Sequence, residues 1–356
     1  MISKISELLK EKKVDGALVS SPANIRYLSG FAGTESYLYL TPERKVILTD
    51  SRYTLQAEEE GKGCEVQTMS RERSYGVMLG ELLREDGVER LGFEENAMLY
   101  GTWNSLWKKS GFGPKHWFML GDSLSELRVI KNEQELQWME KAESIGDAAF
   151  SYILNELKPG VTELEIAAKL EYYMRSHGAE STSFDTIVAS GYHSAMPHAV
   201  PSEKKLEPGD FVTMDFGCRY HGYCSDMTRT VVIGKASEKQ KEVYHVVLEA
   251  QKTALAGLKP GMTCAEGDRL ARDVIEKAGY GQYFGHSLGH SVGLEIHEKP
   301  ALSPKDGHVL RPGMIETVEP GVYIPDFGGV RIEDMVVLTE NGIRNLTHSP
   351  KELTEV

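Results

Sequence analysis

The chain has 356 residues, with 40 Lys+Arg against 53 Asp+Glu and a formal charge of −13; at about 150 residues per domain this is room for two cores, which excludes a disulfide-stapled miniprotein. The acidic balance also speaks against nucleic acid as a partner, since phosphate attraction needs a basic face. Cys64, Cys218, Cys224 and Cys264 form no C-x-x-C pair, MISKISELLKEKKVDG lacks the apolar segment of a secretory leader, and no run long enough to span a membrane occurs, so a cytoplasmic, reducing location is expected.

Met1 to Lys13 places Ile2, Ile5, Leu8 and Leu9 at helical spacing. Ala17 to Ser20, Tyr37 to Leu40, Lys45 to Thr49 and Arg90 to Glu94 read as short strands, so residues 1–125 are expected to form a smaller α/β domain. That stretch has no phosphate loop and no G-x-G-x-x-G after its first strand, which leaves no physical case for nucleotide binding. A boundary is expected between Gly121 and Lys131, with residues 126–356 forming the second domain. There the pattern changes to long helices. Asn132 to Leu157 carries Leu136, Met139, Ala142 and Ile145 on one face, and Thr162 with Glu165 three residues on is a capping box. Helices are also expected at Ser237 to Leu258 and Cys264 to Gly279. Strand-like runs lie at Asp185 to Ser190, Asp210 to Phe216, Asp226 to Ile233, Met314 to Glu319 and Val330 to Thr339. Long helices beside antiparallel strand pairs predict an α+β fold. No low-complexity segment and no short-period repeat is evident.

Chemistry concentrates in two strand pairs. In DFVTMDFGCRYHGYCSDMTRTVVIG, two β-rich runs flank Tyr220-His221-Gly222, and a ladder centred there places Asp215 opposite Asp226. Facing carboxylates destabilise a ladder, and burying both costs several kcal/mol, of order ~5, unless a cation lies between them. A solvent-facing hairpin with two exposed aspartates is the plain alternative. In MIETVEPGVYIPDFGGVRIEDMVVLT, however, a ladder centred on Asp326 pairs Glu319 with Glu333 in the same way. Two acid pairs of this kind can clamp two divalent ions. Glu316 is an odd number of residues from Glu319 and so falls on the opposite strand face, and Glu298 belongs to no pair.

Histidines lie nearby: His286, His290 and His297 in FGHSLGHSVGLEIHEKP, and His198 in SAMPHAVPS. Imidazole ligates such metals, polarises carbonyls and shuttles protons near neutral pH. His193, His221 and His348 are read as structural. The same stretch matches G-x-S-x-G twice, at Ser287 and Ser291, with Asp334 and His348 later in the chain, so a serine hydrolase using Ser287 is a rival reading. It needs a strand entering the turn and a long helix leaving it, whereas Pro300 interrupts soon afterwards, and it leaves both acid pairs unexplained.

Asp215 and Asp226 in MDFG and SDMTRT, His290 in GHSVGLEIHE, Glu319 in TVEPG and Glu333 in GVRIED resemble the five metal ligands of the pita-bread metallopeptidases, the group of prolidase, aminopeptidase P and methionine aminopeptidase. The resemblance covers nearly the whole chain and favours the prolidase/aminopeptidase P branch, whose catalytic domain follows a creatinase-like N-terminal domain. It implies a dinuclear metallo-exopeptidase that hydrolyses Xaa-Pro bonds of small peptides, most readily as an Xaa-Pro dipeptidase, alternatively as an Xaa-Pro aminopeptidase on longer peptides. By the same resemblance Asp215 and Glu333 bridge two ions, Mn2+ before Co2+ or Zn2+. Asp226 binds one ion, and His290 with Glu319 the other. Glu319 also moves the proton, His198 and His297 stabilise the tetrahedral intermediate and leaving group, and Arg331 holds the substrate carboxylate. A homodimer is implied as well. Some prolidases carry a basic residue just after HE-x-P, where HEKPALS has Ala301, and this departure weakens a dipeptide-only reading. A non-catalytic pita-bread binding protein would lack a ligand type, and none is missing here.

Overall fold

The computed structural model describes residues 2–356, so Met1 and the side chain of Ile2 in the first expected helix lie outside the described residues. The chain divides into two compact units after Arg128. The first contains α1 (Ile2–Lys12), β1 (Gly16–Val19), α2 (Pro22–Ser29), β2 (Ser36–Leu40), β3 (Lys45–Thr49), α3 (Thr54–Glu60), β4 (Glu65–Thr68), α4 (Tyr75–Glu85), β5 (Leu91–Phe93), α5 (Tyr100–Ser110), β6 (Trp117–Met119) and α6 (Ser123–Glu126). Its mixed sheet runs β4-β3-β2-β1-β5-β6. Strand β1 is buried on both faces: Ala17 and Val19 pack with Ile5, Leu9 and Leu28 from α1 and α2, while Leu18 packs with Met78, Leu82 and Leu106 from α4 and α5. That alternation is the period of two acting in a central strand. Strands β4 and β6, not expected from sequence, are half-exposed sheet edges whose short runs carry little apolar signal.

The second unit contains α7 (Glu133–Ile153), α8 (Glu163–Ser176), β7 (Ser181–Thr182), β8 (Ile187–Ser190), β9 (Phe211–Phe216), β10 (Cys218–Tyr220), β11 (Tyr223–Cys224), β12 (Met227–Val232), α9 (Glu238–Gly257), α10 (Cys264–Lys277), β13 (Gly289–Ser291), β14 (Glu298–Leu302), β15 (Ile315–Val318), β16 (Gly321–Ile324), β17 (Gly328–Arg331), β18 (Asp334–Thr339), β19 (Gly342–Asn345) and β20 (Thr354–Glu355). Two halves of like construction emerge. In the first, α7 and α8 share a core with β8, β9 and β12, built on Ile145, Phe150, Leu170, Val188 and Met214. In the second, α9 and α10 share one with β15 and β18, built on Val243, Val247, Ala271, Val318 and Val336.

The likeness reaches individual bonds. Lys158-Pro159-Gly160-Val161-Thr162 recurs as Lys259-Pro260-Gly261-Met262-Thr263, and LEPGDFVTMDFG (206–217) as LRPGMIETVEPG (310–321). Leu206 N–H donates to Val161 and Gly160 N–H to Leu206. Leu310 N–H donates to Met262 and Gly261 N–H to Leu310 in the same way. This long internal repeat superposes Asp215 on Glu319. Among the described residues no helix is long and apolar enough to cross a membrane.

Candidate metal centre

The first acid pair sits on a hairpin whose register differs from the expected one. His221 and Gly222 both adopt positive φ, 48° and 80°, the conformation of a two-residue hairpin turn. The ladder therefore centres between them, pairing Tyr220 with Tyr223 and Asp215 with Thr228, not with Asp226. Asp226 lies one step diagonal on the same face. It occupies the break between β11 and β12, where Gly217 lets the chains close in: a Cβ there would stand 1.9 Å from the Ser225 carbonyl oxygen. The second ladder keeps the expected register, with Val318 opposite Asp334 and Gly321 opposite Arg331. The single strand expected over Val330 to Thr339 is instead two, β17 and β18, which belong to different sheets. Glu319 and Glu333 occupy the matching gaps. Asp226, Glu319 and Glu333 thus stand where regular pairing is interrupted, whereas Asp215 lies within β9, paired with Thr228 on one side and Ile187 on the other.

Asp226, His290 and Glu333 each bring a ligand atom within 4.8 Å of the other two. His290 Nε2 lies 3.4 Å from Asp226 Oδ2 and 3.6 Å from Glu319 Oε1. Its Nδ1 is 3.1 Å from the Ser291 carbonyl oxygen, which can only accept, so Nδ1 carries a proton and Nε2 is the ring nitrogen turned toward the carboxylate oxygens. Acceptors facing acceptors repel unless a proton or a cation stands between them. Asp215 adjoins the group, with Oδ2 bound to Arg331 Nη2 at 2.6 Å and Oδ1 buried with no hydrogen-bond partner among the described residues.

Electrostatics tell the same story. Burial, and then the charges of Asp215 and Glu319, push Asp226 well above the ordinary carboxylate range. Burial, and then Asp226 and Glu319, do the same to Glu333, and burial also raises Glu319. Two like charges about 4 Å apart repel by roughly 4 kcal/mol at an effective dielectric constant of ~20, so four clustered carboxylates cannot all ionise cheaply. Divalent ions would relieve this strain, and a set of four carboxylates and one imidazole has the hard-donor character such ions take.

Neighbouring groups fix the centre. Glu333 is held by Thr228 Oγ1 on Oε2 at 2.7 Å and by Arg229 Nη1 on its carbonyl oxygen at 2.5 Å. Thr317 Oγ1 donates to Glu319 Oε1 at 3.1 Å and accepts from His290 N–H at 3.0 Å. Glu143, fully buried on α7, accepts the Asp226 N–H at 3.3 Å and the Thr347 hydroxyl at 2.6 Å. Sequence reading missed Glu143. Its signal was an acid on the apolar stripe of Met139, Ala142 and Ile145. Arg331 is buried, and its nitrogens bind Thr228 Oγ1, Tyr323 Oη and Asp215, so its observed partners are protein groups. His297 stacks edge-on against His290 with ring centroids 4.4 Å apart. Burial lowers its pKa, with His290 and His198 adding to the effect. His198 stands exposed on the loop after β8.

The serine-hydrolase arrangement does not form. Ser291 is buried inside β13 with its hydroxyl on Glu316, and Ser287 precedes a strand, not a helix. Asp334 is occupied by Arg229, Asn345 and Lys351, and the His348 N–H is held by Asp147.

Comparison with known proteins agrees with this geometry. Residues 137–340 match the family model Metallopeptidase family M24, and residues 1–130 match the Creatinase/Prolidase N-terminal domain. An Xaa-Pro dipeptidase of Pyrococcus horikoshii is 42% identical over 99% of this chain and 98% of its own length. A solved Xaa-Pro dipeptidase structure from Bacillus anthracis superposes with a TM-score of 0.95 at 43% identity, covering 100% of this chain and 99% of that one. An X-Pro aminopeptidase structure from Thermotoga maritima superposes at 0.91 with 38% identity, covering 99% and 100%. The two units thus have the architecture of a creatinase-type N-terminal domain and a pita-bread catalytic domain, and the chain belongs to metallopeptidase family M24.

Proposed function

We propose that the chain is a dinuclear Xaa-Pro dipeptidase in which Asp215, Asp226, His290, Glu319 and Glu333 hold two divalent ions, Mn2+ before Co2+ or Zn2+. The observation that carries this reading is the convergence of His290 Nε2 on Asp226 and Glu319, 3.4 and 3.6 Å away, with Glu333 beside them, a buried cluster of acids that asks for a cation. Bound there, such ions supply Lewis acidity toward a water and toward the scissile carbonyl. Glu319, whose proton affinity burial has raised, takes the water's proton and hands it to the departing proline nitrogen. His297, kept neutral by burial, and His198 offer N–H groups to the oxygen that gains charge. Arg331 steadies Asp215 with one Nη2 donor, and the second N–H on each Nη is what it has left to offer a substrate carboxylate. A bond to proline is a tertiary amide without N–H, so peptidases that grip that hydrogen handle it poorly and a dedicated site is needed. The reading includes a homodimer working in the cytoplasm.

A second reading, an Xaa-Pro aminopeptidase, is favoured by one feature: Ala301 stands directly across the ladder from His290, so no cation is placed there for a dipeptide carboxylate. Incubating the Mn2+-loaded protein with Ala-Pro and with Ala-Pro-Ala, with products identified by mass spectrometry, separates the two. Cleavage of Ala-Pro alone is expected, and Glu319→Ala should lower its kcat by about 100-fold or more. Release of Ala from Ala-Pro-Ala would shift the assignment to the aminopeptidase. Hydrolysis of neither would sink both.

A further inference from the structure

We propose that Glu163 is a positioning residue for His198, a buried carboxylate that clamps both ends of the loop between β8 and Ser202. The inference rests on the preceding reading for the task given to His198. Glu163 opens α8 and is fully buried. Oε1 accepts from Ser190 N–H at 2.7 Å and from the Ser190 hydroxyl at 2.8 Å. Oε2 accepts from Ser202 N–H at 3.1 Å and from the Ser202 hydroxyl at 2.7 Å. His193 Nδ1 sits 3.2 and 3.1 Å from the two oxygens and therefore donates. Burial alone would raise this carboxyl, yet the Ser202, Ser190 and His193 donors hold it below its ordinary pKa. The clamp is thus an anion satisfied on both sides. Its upstream end is anchored in the sheet of the metal centre, since β8 pairs Ile187 with Asp215. Midway, the Ser194 hydroxyl accepts Gly329 N–H at 2.8 Å, tying the loop to β17 two residues from Arg331.

The internal repeat separates this role from simple helix anchoring. In the first half Glu163 N–H and Leu164 N–H donate to the carbonyls of Lys204 and Ser202. In the second half Cys264 N–H and Ala265 N–H donate to those of His308 and Asp306, with Cys264 where Glu163 stands. The helix start is therefore fastened without a carboxylate. What Glu163 adds is the grip on Ser190, His193 and Ser202, the segment that carries His198.

Glu163→Gln keeps the side chain's size but turns one acceptor into a donor, which must then face a donor of Ser190 or Ser202. Wild type, Glu163→Gln, His198→Ala and the double variant, each loaded with Mn2+, make a cycle. Glu163→Gln should keep the wild-type metal content by elemental analysis and lower kcat on Ala-Pro about 10- to 100-fold with KM nearly unchanged. It should add little to the loss in the His198→Ala background. Amide exchange across residues 191–201 should accelerate about tenfold or more, while residues 2–128 stay as they were. Equal kcat losses in both backgrounds, an inert His198→Ala, or unchanged exchange in the loop would each overturn the proposal. If wild type cleaves no Xaa-Pro substrate, the function fails and the exchange result alone decides the clamp. Should Glu163→Gln not fold, Ser190→Ala and Ser202→Ala remove donors singly and are read the same way.

Discussion

Glu316 shows what a buried acid outside the centre does to stability. It is fully buried on β15, with Oε1 accepting from Ser291 at 2.8 Å and Oε2 unpartnered among the described residues. Burial pushes its pKa from 4.5 up to about 8. Between those values the folded chain holds the proton and the unfolded chain does not. The group's contribution is therefore favourable below about pH 4.5 and is lost as pH rises through 8. Glu316→Gln should accordingly melt several degrees above wild type at pH 8.5, with the gap closing by pH 5. A difference independent of pH would show that this carboxyl is not its source. At this scale the five candidate ligands were legible because acids and histidine interrupt runs that are otherwise β-rich. Their supports were not: Thr228 is 105 residues from Glu333 and Glu143 is 83 from Asp226, and no local pattern joins such pairs.

Four helices of the catalytic unit begin with complete capping boxes, at Asn132, Thr162, Ser237 and Thr263. In the last, Thr263 Oγ1 accepts Glu266 N–H at 3.2 Å while Glu266 Oε2 accepts Thr263 N–H at 2.7 Å. Removing such a cap costs about 1 kcal/mol, and a unit of this size shifts its midpoint by about 2–4 °C per kcal/mol. Thr263→Ala should therefore melt about 2–4 °C lower by calorimetry, with Thr263→Ser near wild type and Ala-Pro hydrolysis unaffected. A drop in activity at unchanged stability would refute a purely capping role. Element boundaries were legible to within a few residues wherever caps and apolar stripes coincide, as in α7 and α9. They failed where a single chain direction hides a change of sheet: nothing in GVRIEDMVVLT marks the break at Ile332-Glu333, because β17 and β18 are both buried and no Gly or Pro separates them.

The whole catalytic unit is organised by its repeat, which brings one acid from each half, Asp215 and Glu319, to equivalent positions in the sequence alignment of the halves. Sequence reading found no short repeat because the period is about a hundred residues and only the turns and the strand before each acid retain it. One consequence is that the centre's charge must be a property of this unit. Asp226, Glu319 and Glu333 have raised proton affinities without a cation, so the ion-free unit loses stability as pH rises and these groups are forced to ionise. An ion present at 100 times its Kd stabilises the folded state by about 2.7 kcal/mol. Two such ions should raise the midpoint by about 10–20 °C, and the gap between Mn2+ and chelator should be wider at pH 8 than at pH 6. In hydrogen exchange, chelation should loosen β9, β12, β13 and β15 and leave β1 to β5 protected as before. Equal loosening of both units, or a gap that narrows with rising pH, would mean that the acids are balanced by the protein itself and that no cation belongs between them.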